Sequence, residues 1–230
     1  MRKLSSLLIV LLCVPLVASA QFGRLKAATG AASDSGGDTT GLVQQIDVVM
    51  AEFTAASDKL LEAYLQSVEI YISQEKKKEL EQRIAQIKAI EKPDQKMKET
   101  ADLIIEMSKI LEAVAEQEIQ QKQLSDQQKK DVARMSYNVL LAVLKDKVAV
   151  EKAKELAPKA QSAAKDIGND PQKAPQARKL KDAAGPLHAI AENGPKQVAA
   201  TSGIVKMLDS ARKANGIPDP PEPQTSGEYK

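Results

Sequence analysis

Apolar residues recur along most of the chain at alternating steps of three and four, the spacing that gathers them on one face of an α-helix. The first stripe is Ile46, Val49, Phe53, Ala56, Leu60, Ala63, Ser67 and Ile70, widened by Val43, Met50, Leu61, Tyr64, Val68 and Tyr71. No proline or glycine interrupts 42–92. The pattern predicts a helix from Asp38 or Thr39 to about Ser73, roughly 52 Å long at 1.5 Å per residue. The far more polar "QEKKKELEQ" that follows predicts a second helix to about Glu91, with Leu80, Ile84 and Ile87 on its face and Pro93 as its stop. Met97, Ala101, Ile104, Ser108, Leu111 and Ala115 predict a third, to about Gln123. From Ser125 a fourth carries Val132, Met135, Val139, Ala142, Ala149, Ala153 and Leu156. Its "VLLAVL", Val139 to Leu144, is apolar on every side and so belongs at the centre of the fold.

The last part is more broken. Gly168 and Pro171 bound one piece, and Gly185-Pro186 and Gly194-Pro195 predict a short helix cut out between them, "LHAIAEN". A final helix from about Lys196 to Ala214 ends at Asn215-Gly216. No run alternates with a period of two. The expected fold is all-α: an elongated antiparallel helical bundle of four or more helices with a long N-terminal helix, resembling a coiled coil in its seams.

The ends read differently. Arg2 and Lys3 precede an apolar run, Leu4 to Val17, and Ala18-Ser19-Ala20 offers a small-residue cleavage site. The run is shorter than the about 20 residues a membrane span needs. Residues 1–20 are therefore expected to be a signal peptide cleaved between Ala20 and Gln21, with Cys13 a disfavoured site of lipid attachment because Leu12 precedes it. Residues 21–41 form a flexible Gly/Ser-rich spacer, 42–216 the bundle, and 217–230 a Pro-rich tail, extended or disordered.

Cleavage would change the charge. The whole chain is formally +2; without Arg2 and Lys3 it is zero, and without Cys13 it has no cysteine. A neutral exported chain is not built for bulk nucleic-acid binding. Charge is nevertheless uneven: 94–118 carries a net −4 and 152–181 a net +5. Two mutually attracting solvated faces are expected, with a basic lobe for anionic lipid or an acidic partner as the alternative.

Few residues point to chemistry. His188 stands alone, without a second histidine or a cysteine pair for a zinc site, and is expected to be a helix-face or packing residue. No nucleophile elbow or phosphate loop occurs. Glu112 and Glu116 share a helix face but read as a solvated stripe, and Glu116 and Glu118 point apart. No catalytic residue, metal or cofactor is expected. Asp146 falls on the seam between Ala142 and Ala149. The flanking Lys145 and Lys147 favour a half-exposed acid paired with lysine over a buried polar group that fixes helix register.

Leu124-Ser125-Asp126-Gln127-Gln128 is a capping box, in which the Ser125 hydroxyl and the Gln128 side chain satisfy each other's backbone N–H groups. It also resembles the Leu-Thr-x-x-Gln signature of Spy/CpxP-type periplasmic chaperones, with Ser125 for Thr and without that family's second copy. That resemblance implies a possible binding role for Leu124 and Gln128. A looser one covers more of the chain: "ASAQFG", the spacer, and Tyr137-Asn138 followed by "LAVLKDK" look like a group of uncharacterised exported all-helical bacterial proteins. It implies a periplasmic location and no activity. The expected function is non-enzymatic: a secreted envelope protein whose helical faces bind another protein. A Spy-like holdase and a lipid-interacting bundle are the alternatives.

Overall fold

The computed structural model describes residues 39–114 and 116–230. The expected cleavage site at Ala20 and Gln21, Cys13, and the spacer up to residue 38 lie outside them. Six helices follow in order: α1 Thr39–Tyr71, α2 Gln74–Lys88, α3 Pro93–Glu112, α4 Glu116–Gln121, α5 Asp126–Ile167 and α6 Ala174–Ala214. No strand occurs among the described residues. The fold is all-α.

Local chemistry sets several boundaries. The Ser73 hydroxyl caps α2 by accepting from Lys76 N–H at 3.2 Å. Pro93 opens α3 where its missing N–H costs nothing. The capping box at the start of α5 is complete: Ser125 Oγ accepts from Gln128 N–H at 3.3 Å, and Gln128 Oε1 accepts from Ser125 N–H at 2.9 Å. Gly216 follows α6 with φ of 64°, the left-handed conformation glycine adopts without a Cβ clash.

The side-chain pairings fix directions. Asp146 on α5 meets Gln197 on α6, and Gln161 on α5 meets His188 on α6, so these two helices are antiparallel. Thr39 pairs with Gln176 and Ser57 with Gln197, so α1 runs parallel to α6. α1 and α6 thus travel the same way and α5 runs opposite to both, with α2, α3 and α4 standing between α1 and α5 in the chain.

Three expectations need correction. The third helix ends at Glu112 rather than Gln123, and α4 is separate. Leu111 and Ile119 would lie about 80° apart around a continuous helix; the break lets both be buried in one core. Gly185-Pro186 and Gly194-Pro195 do not cut the chain, since α6 is one helix of 41 residues containing both prolines. An interior proline costs about 3 kcal/mol. Leu180, Leu187, Ile190 and Ile204, all wholly buried, each offset that by about 1.5–3 kcal/mol. The central helix is α6, which packs on α1, α3, α4 and α5, whereas α5 packs chiefly on α1 and α6. Within "VLLAVL", Val139, Leu141 and Ala142 are buried, but Leu140, Val143 and Leu144 are half-exposed. The tail has neither helix nor strand, and its last residues lie against α5.

The core has two parts. The upper cluster joins Ala56–Ile70 of α1 to α2, α3, Ile119, Leu124, the first half of α5 and the end of α6. The lower cluster joins Ile46, Val49 and Phe53 of α1 to Ala149–Ala160 of α5 and Leu180–Ile190 of α6. Gly194 lies near the boundary between them. A Cβ there would sit 2.2 Å from Val150 Cγ2 and 3.4 Å from Phe53. The glycine that resembles a helix breaker in the sequence is a close-approach point of three helices.

Gly194→Ala should therefore cost about 1–3 kcal/mol more than Gly185→Ala, by overpacking. Both positions precede a proline and share that penalty, but a Cβ at Gly185 meets nothing nearer than Asp94 Cβ at 3.8 Å. Equal denaturant midpoints for the two variants would refute the close approach. Leu141→Ala should cost about 2–5 kcal/mol in the same melts, and the half-exposed Leu144→Ala less.

Candidate functional site

Between the two apolar clusters lies a polar layer. Gln197 of α6 is completely buried, and its Nε2 donates to Ser57 Oγ of α1 at 2.9 Å and to Asp146 Oδ2 of α5 at 2.6 Å. One amide thus holds three helices together. Asp146 is wholly buried. The expected half-exposed acid paired with lysine is wrong, because the α5 seam faces α1 and α6 at that turn and Lys145 turns aside to Glu52. Lys145 Nζ sits 3.1 Å from Glu52 Oε2, with both side chains nearly covered.

Burial away from water pushes the Asp146 carboxyl up to about 8, against a smaller opposing effect of the Gln197 hydrogen bond. Asp146 is therefore mainly protonated at neutral pH. Asp146 Oδ1, Gln197 Oε1 and Tyr229 Oη are buried without hydrogen-bond partners among the described residues. The Tyr229 phenol is pushed far above its ordinary value, first by burial, then by the nearby Asp146 and Glu52.

Tyr229 belongs to the C-terminal segment, which the sequence suggested would be loose. Its beginning is tied to the end of α6. Arg212 donates to Pro218 O at 3.0 Å and pairs with Asp219 at 2.6 Å and Asp209 at 2.8 Å. Its end is clasped by α5. Asn138 Nδ2 donates to Lys230 O at 2.8 Å, and Asn138 Oδ1 accepts from Lys230 N–H at 2.8 Å. Lys145 Nζ stands 5.0 Å from the Tyr229 ring centre, and Lys230 Nζ 4.3 Å from that of Tyr137. Both are cation–π distances.

The residues singled out in the sequence lie elsewhere. Ser125 and Gln128 act as the helix cap. Leu124 is buried in the upper core, and its N–H donates to Asn215 Oδ1 at 3.0 Å. Asn215 also donates to Lys122 O at 3.1 Å, so the end of α6 holds the loop before α5. His188 is exposed, 2.8 Å from the Gln161 amide nitrogen. Glu112 and Glu116 fall on different helices, and Glu112 packs where a side chain at Gly203 would go. Among the described residues no group of three His, Cys, Asp or Glu side chains could hold a metal ion.

Asn138, Lys145, Gln197 and Tyr229 were not found by sequence reasoning. One signal was there: the chain has four tyrosines, two phenylalanines and no tryptophan, so an aromatic in a proline-rich tail is conspicuous.

The raised Asp146 value sets a pH dependence. Between its unfolded value near 4 and its folded value near 8, the native state holds a proton that the unfolded chain has released. Stability from this group is therefore full at low pH and is lost as pH rises to about 8, with a slope of at most about 1.4 kcal/mol per pH unit. Asp146→Asn keeps the shape without the proton. The difference in unfolding free energy between variant and wild type should grow in favour of the variant from pH 5 to pH 8. A pH-independent difference would contradict a protonated, buried Asp146.

Comparison of the chain with family models, curated proteins and solved structures finds no match.

Proposed function

We propose that this chain is a non-enzymatic, exported envelope protein that serves as a helical binding or structural module for another protein. The observation that carries the reading is closure of the apolar seams. Among the described residues thirty-nine apolar side chains are buried, and Ile72, at 39%, is the one large hydrophobic that is exposed. A holdase must offer apolar surface to unfolded clients. A closed surface instead suits a partner recognised by polar and charged groups. Export rests on the apolar N-terminal run and its small-residue cleavage site.

A second reading has one supporting observation. Lys154, Lys159, Lys165, Lys173, Arg178, Lys179 and Lys181 are all exposed around the turn between α5 and α6. Among them Lys159 pairs with Glu155 at 2.6 Å. This basic end suits an anionic lipid surface. No helix among the described residues is long and apolar enough to cross a membrane.

Three assays on the purified protein test the proposal. The expected results are weak binding of a hydrophobic dye, no suppression of the aggregation of a denatured client, and no leakage from anionic vesicles at moderate salt. Client protection at near-stoichiometric ratio would replace the proposal with a holdase. Leakage that fades with added salt would replace it with a lipid-binding role, since exposed charges are screened beyond about 8–10 Å at such ionic strengths.

A further inference from the structure

The clasp on α5 has the form of a peptide-binding site already filled by the chain's own end. Asn138 is 4% exposed and spends its amide nitrogen and its amide oxygen on the main chain of Lys230. Such a pair reads an extended backbone, as a strand edge does, and takes no account of the side chain. Side-chain selection comes from the neighbours. The Tyr229 ring packs against the upper core with its oxygen buried. The Lys230 ammonium lies over Tyr137. At Gly227 a Cβ would stand 2.9 Å from the segment's own Gln224 O, 3.0 Å from Tyr137 Oη and 3.6 Å from Leu141 Cδ1, so a small residue two places before the aromatic suits both the turn of the segment and the surface of α5. The pattern selected is small, any, aromatic, basic.

The filling segment is weakly continuous with the rest. Its first anchor, Arg212 with Pro218 and Asp219, is separated from the clasp by "PPEPQTS", Pro220 to Ser226, in which no side-chain hydrogen bond or ion pair is formed. That linker is stiffened by proline and carries the clasped residues as a tethered ligand.

We propose that this α5 surface, formed by Tyr137, Asn138, Leu141 and Lys145, is a binding site for an extended segment of another protein. That segment presents a small residue, then an aromatic followed by a basic side chain, and the chain's own Gly227–Lys230 occupies the site in cis and competes with it. The inference rests on the protein-binding reading above and assigns its surface. Tethering gives the internal segment an effective concentration of about millimolar, so a partner must exceed it in local concentration or affinity.

The test uses the full-length chain and a labelled peptide of sequence Pro-Gln-Thr-Ser-Gly-Glu-Tyr-Lys, residues 223–230, amidated at its end and followed by fluorescence anisotropy. Tyr229→Ser should unseat the internal segment, and the peptide should bind this variant at least about tenfold more tightly than wild type, the relief of an intramolecular competitor. Gly227→Val provides a second unseated variant, through crowding against Gln224 O of the segment's own turn and against Tyr137. Binding should be lost when Asn138→Ala is added, and when the peptide carries serine in place of tyrosine. Equal affinity for wild type and both unseated variants would overturn the proposal. So would binding indifferent to Asn138→Ala, or no saturable binding up to about 1 mM, the scale of the internal competitor, by variants whose circular dichroism and melting match wild type. A wild-type dimer abolished by Tyr229→Ser would assign the site to a second copy of this chain and overturn the assignment to another protein. Dye binding or client protection would sink the closed-module reading with the peptide results unchanged, so the two failures are distinguishable.

Discussion

The Gln197 amide, held between Ser57 and Asp146, is the contact on which the arrangement of α1, α5 and α6 depends. Apolar packing alone has little directional preference: Ala, Val, Leu and Ile seams can slide by a turn and still exclude water. A buried amide cannot. If α6 moved one turn along α5, about 5.4 Å, both donors of Gln197 would lose their acceptors in a dry interior, at about 1–3 kcal/mol for each buried group left unmade. The layer also lies where the upper and lower cores meet, so one register serves both.

That layer is not a large source of stability. Asp146 retains a proton to avoid a buried charge, and three polar oxygens near it have no hydrogen-bond partner among the described residues. Stability comes from the two apolar clusters, each fully buried side chain contributing about 1.5–3 kcal/mol. The polar layer selects among packings that those clusters would otherwise allow. Gly194 lets α6 approach Val150 and Phe53 just below it, and the Glu52–Lys145 pair closes its outer side next to Tyr229. The C-terminal segment is thus coupled to the same layer that sets the helix register.

The sequence made the helices legible but not their arrangement. The first stripe placed α1 within two residues at each end, because a three-four rhythm over thirty-three residues admits no other element. The capping box at Ser125 was read correctly for the same reason: its chemistry is local. What failed was non-local. The glycine–proline pairs look like punctuation until Leu187 and Ile190 are seen buried between them, outweighing the loss of backbone bonds. The flanking lysines made Asp146 look solvated, since nothing nearby in sequence announces Gln197, fifty-one residues away. The tail read as loose because its partner, Asn138, is ninety-two residues from Lys230. The candidate site is made wholly of such distant pairs, which explains why none of its pairings was anticipated.

Distance measurement between spin labels tests the register claim most directly. The one native cysteine, Cys13, lies before the expected cleavage site, so cysteines placed at the exposed Lys154 of α5 and Lys196 of α6 would be the sole labels after processing. With the polar layer intact, the account predicts one narrow distance distribution. With Ser57→Ala, Asp146→Leu and Gln197→Leu together, it predicts a chain at least as resistant to denaturant but with a distribution broadened or split by about one helical turn, 5.4 Å. A distribution equally narrow and unshifted in the apolar triple variant would contradict the account, since packing alone would then set the register.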